Sequence, residues 1–272
     1  MVDVSAATAP SSGQVLTATS GTAATWQTPA GGGGSYTANI RFHYSGAGIS
    51  NGSTNGGVAS ETSSGTSSSV LYQALGAVKL TAGTTSTGYA RVNLREQVTQ
   101  DNTSHTGLSF WDRNIYSGMN MSSQIEVASC YQDIYFGIGD VTTVATMTGA
   151  IKACGLWVEA RNGTLTWYIH TNDGTTSTKT DITTAVNALT NVPDWTAWLA
   201  NADMWYLEFI TGTSFTIYCN GETVATATTN LPSGASSNPS GYIGGIMSDA
   251  QTSNTAQKIH AYSGGFIEWP MK

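Results

Sequence analysis

The chain has 272 residues, 40% of them hydrophobic and 10% aromatic, with 10% charged and a formal net charge of −7. That apolar fraction with so few charges excludes an intrinsically disordered chain. Ten Lys and Arg, thinly spread, exclude a phosphate-neutralising nucleic-acid surface and a polybasic lipid anchor, and no run of ~18 apolar residues offers a membrane-spanning helix.

The polar surface must come from Ser, Thr, Asn and Gly, which suit strands and turns better than helices. Glycine is 31 of 272 residues, above the ~7% of ordinary chains. A chain of this length buries roughly 70–75% of its unfolded surface, so one large β domain or two modest ones are allowed. The opening MVDVSAATAP has no basic n-region and no apolar h-region, which predicts synthesis in a cytoplasm without export by the usual route. Cys130, Cys154 and Cys219 lie far apart, in or beside apolar runs. Three cysteines cannot all pair within one chain. They are expected as reduced core residues, with a disulfide between two of them as the alternative and no CxxC pair for zinc.

Along the chain, residues 1–30 form an opening unit, GGGG at 31–34 is a flexible joint, and 35–272 reads as one β domain. In the opening unit QVLTA runs out and ATWQT returns, with Val15, Leu16 and Trp26 as a small apolar face. A lone two-stranded ribbon is marginal in water, so this unit predicts a partner: the main domain, copies of itself, or another protein. Residues 46–69 are almost all Gly, Ser, Thr and Asn and are expected as a long flexible loop.

Strands follow at 70–82, 88–99 and 123–141. GLWVEARNGTLTWYIH (155–170) gives the clearest hairpin: two strands around Asn162-Gly163, a type I′ pair. Trp157 and Trp167 are expected either to face each other across it or to form a subunit interface. The only helix expected is short, WTAWLANA after Pro193-Asp194, with Trp195 and Trp198 in the core. WYLEFI, SFTIYC and ETVATAT then form strands, with TGTS and Asn220-Gly221 as turns, and strands at 240–250 and 258–269 follow. On the order of twelve strands without α/β alternation predict an all-β antiparallel sandwich preceded by a short β-hairpin arm.

The stretch DVSAATAPSSGQVLTATSGTAATWQTP, through Asp3, Val4, Ser5, Gly13, Gln14, Val15, Leu16, Trp26 and Pro29, resembles a short unit of bacteriophage tail-fibre and other virion proteins. That resemblance covers about a tenth of the chain. It implies a virion surface protein (fibre, spike or capsid decoration), homotrimeric and made in the host cytoplasm. Val4, Val15, Leu16 and Trp26 would then dock it on other virion proteins. The run WYLEFITGTSFTIYCNGETVATATTNLP, through Tyr218, Cys219, Asn220, Gly221, Leu231 and Pro232, is similar to concanavalin-like (laminin-G-like) jelly-roll sandwiches. This implies that fold over residues 70–269.

Glycosidases on that fold place carboxylates in an ExDxE alternation, so that two acids share a cleft. Glu126, Asp133, Asp140, Glu159 and Glu208 lack that spacing and are expected as solvated or hydrogen-bonded single acids. No enzyme, catalytic residue, cofactor or metal is expected. In TNDGTT (171–176), Asn172 and Asp173 have no second acid nearby, as calcium would need. His43, His105, His170 and His260 are scattered and expected at the surface or an interface. For host glycan, stacking aromatics beside polar groups point to Trp111, Asp112, Arg113 and Tyr116; the competing reading has Trp111 capping the core.

Overall fold

The computed structural model describes residues 111–112, 114–121, 132–139, 149–161, 164–193 and 203–234 with their side chains, and the backbone of the remaining strands. Two compact units divide the chain: residues 1–38 with 271–272, and residues 39–270. The first holds β1 (Val15–Ala18) and β2 (Ala24–Gln27), which pair antiparallel with Leu16 opposite Trp26. The side chains of Val4, Val15, Leu16 and Trp26, and the Gly joint, lie outside the described residues.

The second unit begins with β3 (Asn39–Tyr44), β4 (Ile49–Asn51), β5 (Ala59–Ser64), β6 (Ser68–Tyr72), β7 (Ala77–Thr81) and β8 (Tyr89–Arg95). A 3₁₀ turn at Phe110–Asp112 leads to β9 (Ile115–Gln124), β10 (Tyr131–Gly139), β11 (Lys152–Arg161), β12 (Thr164–Asp173) and β13 (Ser177–Asp181). Then come α1 (Thr183–Asn187), β14 (Asp203–Ile210), β15 (Ser214–Cys219), β16 (Glu222–Ala227), β17 (Ser240–Met247) and β18 (Lys258–Pro270). One eight-stranded sheet runs β13-β12-β11-β10-β17-β8-β5-β4; the other runs β16-β15-β14-β9-β18-β7-β6, with β3 also on β18. Pairing is antiparallel except between β4 and β5. The fold is an all-β antiparallel sandwich of the jelly-roll, concanavalin-like kind.

Alternation explains the layering. In β14, Trp205, Leu207 and Phe209 are buried while Met204, Tyr206 and Glu208 face out. In β11 and β12, Leu156, Val158 and Ala160 join Trp167 and Ile169 in the core. Trp167 stacks on Trp205 of the opposite sheet, with centroids 5.4 Å apart and planes 19° apart, so one indole pair ties the two layers together. The β15–β16 turn has Asn220 at φ 50° and Gly221 at φ 86°, as a type I′ turn requires. Asn220 Oδ1 also accepts the Met204 amide at 2.9 Å.

Three expectations need correction. Residues 46–69 contain β4, β5 and the start of β6. A ladder is made by backbone groups, and Thr suits a strand without any apolar run; β4 and β6 are edge strands. Trp157 and Trp167 do not face each other. Trp157 pairs with Tyr168 and Val158 with Trp167, which puts the two indoles on opposite faces because side chains alternate. An α-helix that was not expected spans Thr183–Asn187; the expected one, with Trp195 and Trp198, lies outside the described residues, as do Asn162 and Gly163. Cys154 and Cys219 are free and buried. Burial lifts both thiols, that of Cys219 to about 12 with help from Asp203 and Glu222. Cys130 lies outside the described residues.

Candidate functional site

Of the four residues expected to contact glycan, the three that are described do not share one surface. Trp111 is 0% exposed and meets Phe209 edge-on at 5.3 Å, so no sugar can stack on it. The 3₁₀ turn rolls its indole into the core, which is the competing reading of the string SFWDRN. Its backbone is fixed too: Thr211 Oγ1 donates to the Trp111 carbonyl at 2.9 Å. Asp112 accepts the Gly234 amide at 2.8 Å and acts as a loop clasp. Arg113 lies outside the described residues. Tyr116 does reach an outward face, that of the β9-β14-β15 sheet, where it stacks on Tyr206 at 6.5 Å. Tyr206 meets Tyr218 at 5.5 Å, and Tyr218 donates to Glu208 Oε2 at 2.9 Å. That bond to Glu208 is the first cause holding the Tyr218 phenol up.

The denser cluster lies on the outward face of the other sheet. Register places Asp133 opposite Glu159, Trp157 opposite Tyr168, and His170 opposite Lys179. Linear spacing hides this, because the cluster assembles from four strands. Its base is Tyr135, whose ring lies across Gly137 and Gly155, themselves paired between β10 and β11. A Cβ on Gly155 would meet Tyr135 Cζ at 2.6 Å and Oη at 2.7 Å, so these glycines are the bed for the ring.

The Tyr135 hydroxyl bonds His170 Nδ1 at 3.0 Å, and His170 Nε2 bonds Ser177 Oγ at 3.0 Å. His170 is fully buried within the chain, where a surface or interface position was expected. Burial, then the Lys179 charge, pull its pKa down to about 4, so the ring is neutral at neutral pH. Trp157 packs edge-on against Tyr135 at 5.8 Å and His170 at 5.4 Å.

The charges sit beside these rings. Arg161 pairs with Asp133 and lies 3.7 Å from Glu159. It also donates to the Gln132 carbonyl at 2.8 Å. Burial lifts the Asp133 carboxyl, with Arg161 opposing. Lys179 pairs with Glu159, and its ammonium lies 4.4 Å from the Trp157 ring centre and 4.3 Å from that of Tyr168. The Tyr168 hydroxyl reaches Glu159 Oε2 at 3.5 Å. Burial, then the Glu159 charge, raise the Tyr168 phenol.

The face thus holds buried Tyr135, Trp157 and His170 beneath a partly exposed layer of Tyr168, Glu159, Arg161 and Lys179. These are the groups that read ring faces and hydroxyls of a polar ligand. Glu126, Asp140 and the side chains of His43, His105 and His260 lie outside the described residues. Asp173 accepts the amides of Thr175 and Thr176, both at 2.7 Å, which lower its pKa. Among the described residues no group of three or more His, Cys, Asp or Glu is placed to hold a metal ion.

The chain matches no family model and no curated protein. Solved structures match it in fold. A β-1,3-1,4-glucanase (lichenase) derived from a mouse hindgut metagenome superposes with a TM-score of 0.51 at 9% identity, over 86% of this chain and 100% of that chain. The Emp47p carbohydrate recognition domain gives a TM-score of 0.46 at 11% identity, over 78% and 89%. The Bacillus licheniformis β-glucanase gives 0.46 at 11%, over 75% and 82%. At 9% identity the likeness to the lichenase is one of fold.

Proposed function

We propose that the chain is a non-enzymatic, lectin-like sandwich that binds glycan on the outward face of β10-β11-β12-β13. The observation that carries this reading is the packing of Trp157, Tyr168 and His170 against Glu159, Asp133, Arg161 and Lys179 on one sheet face. A solvated face needs charges but not this aromatic bed. Both carboxylates are tied up in ion pairs, Glu159 with Lys179 and Asp133 with Arg161, which favours holding a ligand over hydrolysing one.

The test is binding of the full chain to a panel of immobilised glycans. Trp157→Ala is expected to weaken binding at least ten-fold, because it removes the buried floor on which Tyr168 and Lys179 are held. Tyr206→Ala, on the other sheet, is expected to leave it unchanged. The reverse pattern would move the site to the Tyr116–Tyr206–Tyr218 row; no binding to any glycan would end the reading.

The wider setting we propose is the surface of a phage particle, with the sandwich displayed on a homotrimer held by residues 1–30. The backbone pairing of β1 with β2, within a compact unit of its own, favours an attachment arm at the stretch resembling virion proteins.

A further inference from the structure

We infer that Trp157, Tyr168 and Glu159 form a recognition site for a primary ammonium group, filled here by the chain's own Lys179, and that the ligand of this face is an amino sugar with a free amine. The inference rests on the glycan reading above and narrows it to one chemical class.

Three observations converge. First, the Lys179 ammonium lies over two aromatic rings, 4.4 and 4.3 Å from their centres, well within the ~6 Å over which a cation feels a ring quadrupole. The same nitrogen pairs with Glu159. Two π faces and one carboxylate make a cation cage, and a primary amine is what it holds.

Second, the occupant is replaceable. Lys179 stands on the edge strand β13, its side chain is 27% exposed, and its four-carbon stem is flexible. Its position is not neutral for its neighbours, since its charge helps depress His170. If it leaves, Asp133 and Glu159 face only Arg161, so the face gains one net negative charge.

Third, Lys179 leaves a need unmet. Trp157 is 5% exposed, and its Nε1 is buried with no hydrogen-bond partner among the described residues. Buried donors are nearly always satisfied, and an ammonium carries no acceptor. An amino sugar carries both: an ammonium for the cage and an adjacent hydroxyl oxygen for the indole N–H. A quaternary ammonium has no N–H to give Glu159, and an N-acetylated sugar has no cation. With self-occupancy the apparent dissociation constant is the intrinsic one divided by the fraction of time the cage is empty, so Lys179 acts as a plug that an incoming amine displaces.

The test is calorimetric titration of the full chain and its Lys179→Ala and Lys179→Met variants with a glucosamine trimer and with its fully N-acetylated counterpart. Near-ultraviolet circular dichroism identifies folded variants, and Lys179→Met keeps the stem should the alanine variant fail to fold. Unplugging is expected to tighten binding of the free-amine trimer roughly ten-fold while leaving the N-acetylated trimer unchanged. Adding Glu159→Gln is expected to erase the difference. Equal binding of the two trimers would overturn the amine inference and leave the glycan reading intact. Binding of neither trimer by any folded form, in a chain that also fails on the glycan panel, would overturn both.

Discussion

Gly155 shows how much of this site depends on a missing side chain. Tyr135 can lie flat and reach His170 only because neither Gly137 nor Gly155 carries a Cβ. Gly155→Ala is therefore expected to lift the ring, break the Tyr135–His170 bond and cost about 1–3 kcal/mol by overpacking; urea unfolding measures it, and an unchanged midpoint would refute the account. His170 itself predicts a pH dependence. Its folded pKa is about 4 against 6.5 unperturbed, so between those values the unfolded chain binds more protons and stability falls as pH falls. The loss on going from pH 7 to pH 4 is on the order of 3 kcal/mol. Asp133, shifted upward, acts in the opposite sense at the acid end. Comparing wild type with His170→Gln isolates the histidine: the variant's stability should be flatter between pH 7 and pH 4.5.

At the level of elements, the type I′ turn at Asn220-Gly221 and the clean alternation of WYLEFI and SFTIYC were readable because local rules decide them. Gly221 sits at φ 86° with open space where a Cβ would go. Gly221→Ala is thus expected to cost about 1–2 kcal/mol through backbone strain alone, seen as a lowered thermal midpoint with unchanged glycan binding. Strands β4 and β5 were not readable, because their hydroxyl-rich residues carry no apolar alternation; their pairing with neighbours decides their state. The candidate site was hidden for a related reason. Asp133 and Glu159 are 26 positions apart by number yet directly opposite by register, and register is a property of the sheet. Trp111 left two readings open, a glycan contact and a cap on the core; the short 3₁₀ turn sends the indole inward, and the core reading holds.

At the level of the molecule, the sandwich closes through its last strand. β18 pairs with β9 on one side and with β7 and β3 on the other, so the final strand of the chain is interior to its sheet. The assembly reading predicts a trimer by light scattering for the full chain and a monomer for a chain starting at Ser35. A monomer in both cases would leave docking on another protein as the use of the opening unit.

The Trp167–Trp205 stack has a spectroscopic consequence. Two indoles held 5.4 Å apart, one from each sheet, couple their electronic transitions, and that coupling falls steeply as the sheets separate. Strand content alone does not bring these two rings together; docked layers do. The protein therefore carries its own optical gauge of layer separation, able to register a state in which both sheets persist but have come apart.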